Sequence, residues 1–115
     1  MKRHEQLITF SREHHSALVL AKRIIQAPQD DHAAAMHKEA AALLEHFAAE
    51  ETQFAPYWPR LPEVLRITFE EQHQNLRALI AAAERHEQQL IFAQALREHV
   101  RFEERELFPA LEALF

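Results

Sequence analysis

His46-Phe-Ala-Ala-Glu50-Glu51-Thr-Gln-Phe54-Ala-Pro56 and His99-Val-Arg-Phe-Glu103-Glu104-Arg-Glu-Leu107-Phe-Pro109 are two versions of one phrase. Each reads His, three residues, Glu-Glu, an apolar residue eight after the His and a Pro ten after it. Side chains four apart on an α-helix stand one above the other on the same face. Each phrase therefore predicts a helix that aims an imidazole and a carboxylate into one space.

Outward from these phrases the chain reads as four helices. The first runs from about Glu5 or Ser11 to about Gln26, with Leu7, Phe10, His14, Ala17, Leu18, Ala21 and Ile25 on one face at helical spacing. Pro28 ends it, and Asp30 and Asp31 cap the next. The second runs from about Asp31 to Phe54 and carries Met36, Ala40, Leu43, His46 or Phe47, Glu50 and Phe54 along its stripe. The Pro-rich FAPYWPRLP then forms a rigid connection. The third starts near Pro62, carries Leu65, Phe69, His73, Leu76 and Ile80, and ends near Arg85. The fourth runs from about Gln88 to the C-terminus with Leu96, His99, Glu103 and Leu107 in line, its last turns kinked or capped at Pro109. Helices of roughly 20 residues span about 30 Å and match in a bundle. The expected fold is all-α: an up-down-up-down antiparallel four-helix bundle.

Composition agrees. The chain has 115 residues, which fits one domain over 1–115. It contains no Gly, which argues against a fold rich in tight hairpins, while Ala, Leu, Glu, Gln and Arg are good helix formers. There is no Cys, so disulfides, zinc–thiolate sites and iron–sulfur clusters are excluded by inventory. The net charge is −5 and no basic stripe is evident, which speaks against a nucleic-acid partner. MKRHEQLITF lacks the apolar run of a signal peptide, and no stretch approaches a membrane span. A cytoplasmic protein, monomer or homodimer, is expected.

The chain contains nine His, an unusual number for a side chain that is neither a strong helix former nor a good core filler. His46/Glu50 and His99/Glu103, with His14 or His15 from the first helix and His73 from the third, supply four imidazoles and two carboxylates. That set suits two divalent first-row metals, because imidazole takes Fe, Zn, Cu or Ni and a carboxylate can bridge two ions. His14 and His15 are about 100° apart on the helix, so one of them faces the centre. His14, with Phe10, Leu18 and Ala21 on its side, is favoured over His15, which has Ser11 and Lys22 on its own. A carboxylate on the same stripe as Leu43 and Phe54 is costly unless it is paired. His4, His32, His37 and His86 are read as ordinary solvated or core-edge His, and Glu51 and Glu104 as exposed or as outer partners of the site.

SREHHSAL, HFAAEETQFAP, EEQHQNLRALI and EHVRFEERELFP, in this order, resemble the hemerythrin-like, or HHE cation-binding, domains. The resemblance covers about residues 7 to 111. It implies an up-down-up-down bundle around a non-haem di-iron centre. It further implies that His46, His73 and His99 are terminal ligands and that Glu50 and Glu103 bridge the metals, with an oxo, hydroxo or water bridge. Oxygen-carrying hemerythrins have two His four apart in the third helix, and the second of these positions is Arg77 here. Six protein ligands rather than seven leave one more position open, which favours reaction or sensing over pure oxygen carriage.

Three functional readings are consistent with these residues. The leading one is a metal-binding protein with two Fe ions that binds or senses O₂, NO or redox state. The second is a di-iron enzyme, a peroxidase or oxidase acting on peroxide, or an iron donor for iron–sulfur repair. The third is a metal-free helical interaction module. Iron over Zn or Mn rests on the resemblance. Phe47, Phe54, Tyr57, Trp58, Phe69, Phe102 and Phe108 are expected to be core, with a further reading as a dry wall around the site and Tyr57 as a hydrogen-bonding group beside it.

Overall fold

The computed structural model describes residues 3–115. Among them it is an antiparallel up-down-up-down four-helix bundle: α1 (Ile8–Gln26), α2 (Ala33–Phe54), α3 (Glu63–Glu84) and α4 (Gln89–Phe102). A 3₁₀ segment, Ala55–Arg60, joins α2 to α3, and a π-helical stretch, Glu103–Leu107, carries α4 into the short α5 (Phe108–Glu112). α1 packs against α2 and α4, and α3 packs against the same two, so each helix has two neighbours and faces a third across the core.

Helix boundaries follow local chemistry. The Asp31 carboxylate accepts the Ala33 N–H at 3.0 Å, satisfying one of the free donors at the start of α2. α2 gives way where Pro56 and Pro59 withhold backbone donors. The α3–α4 turn needs left-handed backbone, and with no Gly the chain places His86 (φ 70°) and Gln88 (φ 55°) there, at a cost of about 1–2 kcal/mol each. Gln89 ties this turn to the α1–α2 loop by donating to Asp31 at 3.0 Å and to the Ala83 carbonyl at 3.0 Å. His32 completes the tie: it is buried, its backbone N–H donates to Gln89 and its ring bonds the Ala27 carbonyl. Rather than an ordinary core-edge His, it is a staple at the end of the bundle opposite the C-terminus.

The inner face of α1 is Phe10, His14, Ala17, Ala21 and Ile24 with Leu20 beside it, a 4-3-4-3 progression. Leu18, expected inside, is 38% exposed because it lies about a quarter-turn round from Ala17. Ile25 is half-buried and Ile24 takes the core position. The fourth helix also differs from expectation. It does not run unbroken to Pro109, for the Phe108 N–H donates to the carbonyl of Glu103, five residues back. Such a turn widens the helix by one residue, and it accommodates a ring that would otherwise meet the carbonyl four residues before it.

The core has two parts. One end, built from Leu20, Ile24, Met36, Leu43, Leu76, Ile80 and Leu96 with Phe47 and Phe92, is largely aliphatic. The other, built from Phe10, Phe54, Phe69, Phe102 and Phe108 with Leu7, Leu107 and Leu111, is largely aromatic. Between them lies a layer of polar side chains.

Candidate metal centre

That layer consists of His14 from α1, His46 and Glu50 from α2, His73 from α3, His99 from α4 and Glu103 from the start of the π stretch. Glu50 and Glu103 are 0% exposed, and the four His are at most 6% exposed. Two groups of donor atoms come within 4.8 Å of one another: His14, His46, Glu50 and Glu103, and Glu50, His73, His99 and Glu103. The two groups share both carboxylates. Of the two alternatives His14 and His15, His14 joins the first group, while His15 is exposed and joins neither; one step along the helix turns its side chain to the surface.

The carboxylates span the two groups. Glu50 places Oε2 3.3 Å from His46 Nε2 and Oε1 3.2 Å from His73 Nε2. Glu103 places Oε1 2.7 Å from His14 Nε2 and 3.4 Å from His99 Nε2, with Oε2 3.9 Å from His73 Nε2. Among the described residues, His46 Nε2, His73 Nε2, His99 Nε2, both oxygens of Glu50 and Oε2 of Glu103 are buried with no hydrogen-bond partner. An unpartnered buried polar atom costs about 1–3 kcal/mol and a charged one more. So many on one spot is the pattern of a cation site. The separations agree, since donors each about 2.1 Å from one ion lie roughly 3–4 Å apart. The residues therefore fit a pair of divalent ions.

Every Nδ1 has a partner on the outside. His14 Nδ1–H donates to Glu104 at 2.6 Å, His46 to Glu13 at 2.8 Å, His73 to Glu51 at 2.8 Å, and His99 to the Gln72 amide oxygen at 2.6 Å. An ionised carboxylate only accepts, so these bonds keep a proton on Nδ1 and aim Nε2 inward; without metal His14 Nε2 donates to Glu103 at 2.7 Å, and a bound ion would take the Nε2 lone pairs instead. Glu51 and Glu104, the second Glu of each phrase, each hold the imidazole of a neighbouring helix. Arg77 grips both oxygens of Glu51, at 2.6 and 2.9 Å. Arg77 thus stands outside the donor groups and braces His73 at one remove.

Glu13 and Gln72 were not anticipated from the sequence. Each directly precedes an inward His, but so do Glu45 and Glu98, which among the described residues hold no imidazole, so the position alone did not single them out. On a helix, Glu13-His14 and Gln72-His73 each fall on adjacent faces, one toward the core and one toward the next helix.

Electrostatics reflects six ionisable groups in one buried volume. Burial and the charge of Glu103 push Glu50 well above the usual carboxylate range. Burial acts on Glu103 too, but His99, His14, His46 and His73 outweigh it and hold its carboxyl well below that range. Burial disfavours charge on His14 and His73, yet their carboxylate partners raise both to about 9. His99, with an amide outside, is lowered by burial. Without a cation the layer retains protons to balance its charge.

Aromatic rings enclose the imidazoles. Phe69 lies 4.0 Å and Phe47 4.6 Å from His73, Phe10 lies 5.6 Å from His46, and Phe108 stacks on His14 at 5.4 Å. Tyr57 packs on Phe115, and Trp58 on Phe54 and Phe69. A cavity of about 140 Å³ opens between α1 and α2 and reaches His14, His46 and His99. It is large enough for a diatomic molecule or a few waters.

Fold and site together define a class: a four-helix bundle whose core carries two buried His/Glu groups that can hold metal ions. Comparison with protein-family models, with curated proteins and with solved structures returns no match. No helix among the described residues is long and apolar enough to cross a membrane.

Proposed function

We propose that this chain is a hemerythrin-like di-iron protein that binds or senses O₂, NO or redox state. One observation carries the reading: two donor groups, each of two imidazoles, share the same two carboxylates, and the inward atoms are mostly without partners. Each ion would take two imidazole nitrogens and an oxygen from each of Glu50 and Glu103, and the remaining positions would stay open to small molecules. Bound iron would supply the electrons and open coordination that a diatomic ligand requires. The chain's own part is to orient the Nε2 atoms through Glu13, Glu51, Gln72 and Glu104, to exclude bulk water with the Phe rings, and to admit small ligands through the α1–α2 cavity. Iron rather than zinc or manganese rests on the sequence resemblance, since the donor set accepts all three. A metal-free helical module would leave the same buried atoms unpaired, at considerable cost.

Elemental analysis of protein produced in iron-rich medium is the direct test. Two irons per chain are expected; fewer than one tightly held transition metal per chain would sink the proposal. Chelation should lower Tm on the order of 10 °C, because an ion that binds only the folded state stabilises it. The α1–α2 cavity also favours a second reading, an enzyme acting on peroxide. Adding O₂ to the reduced protein separates the two: a reversible optical change marks a binder or sensor, and steady peroxide consumption marks an enzyme.

A further inference from the structure

The two donor groups are alike inside and unlike outside. On the inside each has two imidazoles and the same pair of carboxylates. On the outside, His14 and His46 both donate to carboxylates, Glu104 and Glu13. His73 donates to a carboxylate, Glu51, whose two oxygens are also gripped by Arg77. His99 donates to Gln72, a neutral amide. Glu104 is shared as well: Ser11 Oγ donates to it at 2.7 Å, and Arg3 lies 3.4 Å from its carboxylate while pairing with Glu112 at 2.7 Å. Glu13 and Gln72 occupy matching places, each one residue before an inward His and each reaching to the imidazole of the following helix.

A carboxylate pulls on the Nδ1 proton more strongly than an amide does. It makes the imidazole the better electron donor at Nε2 and steadies a positive ion beyond it. A carboxylate shared with a guanidinium gives less of this, and that applies to Glu51 and Glu104 alike, so the contrast lies between Glu13 on His46 and Gln72 on His99. Glu50 and Glu103 belong to both groups, so the clearest chemical difference between the groups is in the outer partners.

We propose that the two cation positions are unequal: the His14/His46 position fills first and holds its ion more tightly, the His73/His99 position is weaker and exchangeable, and Glu13 and Gln72 are the positioning residues that set the difference. The inference rests on the two-metal reading above. Such a centre holds one ion when metal is scarce and two when it is plentiful, so its occupancy reports metal supply.

The test is titration of the metal-free full-length chain with Co²⁺, followed by its visible spectrum and by calorimetry. The natural chain should bind in two steps whose dissociation constants differ by about tenfold or more, the usual reach of an outer hydrogen bond on a metal ligand. Glu13→Gln should weaken the first step by about tenfold and leave the second unmoved. Gln72→Glu should tighten the second step by about tenfold. A gain of that kind is outside what a merely structural residue can produce. Glu13 is exposed and Gln72 half-buried, and circular dichroism checks that each variant is folded. Two equal steps that neither variant shifts would overturn this inference and leave the two-metal reading standing. Binding of less than one Co²⁺ per chain would overturn both.

Discussion

The phrase at 46–56 stays α-helical to Phe54 and then tightens into 3₁₀ turns over Ala55–Arg60, whereas the phrase at 99–109 widens into a π stretch at Glu103–Leu107 and continues as helix. Both have Pro ten residues after the His. At the first copy Pro56 is followed by Pro59, so successive donors are missing and α2 cannot continue. At the second, one Pro is absorbed because Phe108 finds the carbonyl of Glu103. The inner donors come out equivalent all the same. His and Glu lie one helical turn apart in each copy, and the paths diverge only from the Glu onward. The pattern before the Pro fixes the site; the residues beyond the Pro fix only the exit of the chain.

If the two copies are halves of one centre, the largest effect comes from what they share. Glu103→Ala should abolish loading at both positions, taking metal content from two ions per chain to near none. His46→Ala and His99→Ala should each leave about one. Equal losses in all three variants would break the picture of two groups joined by shared carboxylates.

The residue after each His breaks the symmetry of packing. Phe47 is fully buried and its ring faces His46, His73 and His99, while its counterpart is the smaller Val100. Phe47→Ala should cost about 3–5 kcal/mol in urea unfolding. Val100→Ala removes two methyl-sized groups and should cost roughly 2 kcal/mol. A reversed order would show that the aliphatic end of the core does not lean on Phe47.

His14 and His73 are matching members of the two halves, and in the metal-free protein both are raised to about 9 by their carboxylate partners against the effect of burial. The unfolded value is about 6.5. Between these limits the folded chain binds more protons than the unfolded chain, so stability falls as pH rises. The stabilisation is fully present below about pH 6.5 and is lost as pH climbs through about 9. Chelated protein should lose up to about 1.4 kcal/mol per pH unit for each of the two groups over that window, measured by urea unfolding at a series of pH values. A flat profile would mean that neither His is charged in the metal-free fold.

The smallest effect belongs to Arg77. Its pair with Glu51 is partly exposed, and Arg77→Ala should cost less than about 1 kcal/mol. If it costs more, Arg77 holds Glu51, and through it His73, more firmly than a partly exposed ion pair does.

Much of this was legible in the sequence, for reasons that differ by residue. The His-x-x-x-Glu spacing places two side chains on one face whatever the helix packs against, so His46/Glu50 and His99/Glu103 could be paired from a single dimension. His73 could be placed from its position on the apolar stripe of α3. His14 was separable from His15 because a quarter-turn of helix decides between core and solvent. Leu18 and Leu20 were not separable, since both lie near the edge of a broad apolar stripe and only the placement of α2 and α4 decides which is covered. Glu13 and Gln72 act across helices, and no spacing within one helix states which neighbour a flanking side chain will meet. The π stretch likewise depends on whether the wider turn can be packed, and Leu107, Phe108 and Leu111 supply that packing only in the assembled bundle.

The repeated phrase by itself therefore determined which side chains can face one another, because helical periodicity is a local property of the backbone. Tertiary structure alone decided that the two pairs meet, that Glu50 and Glu103 each reach both groups, and that the imidazoles are held outside by three carboxylates and one amide. Those relations depend on distances between helices, which burial of the two hydrophobic ends sets and which no local pattern encodes.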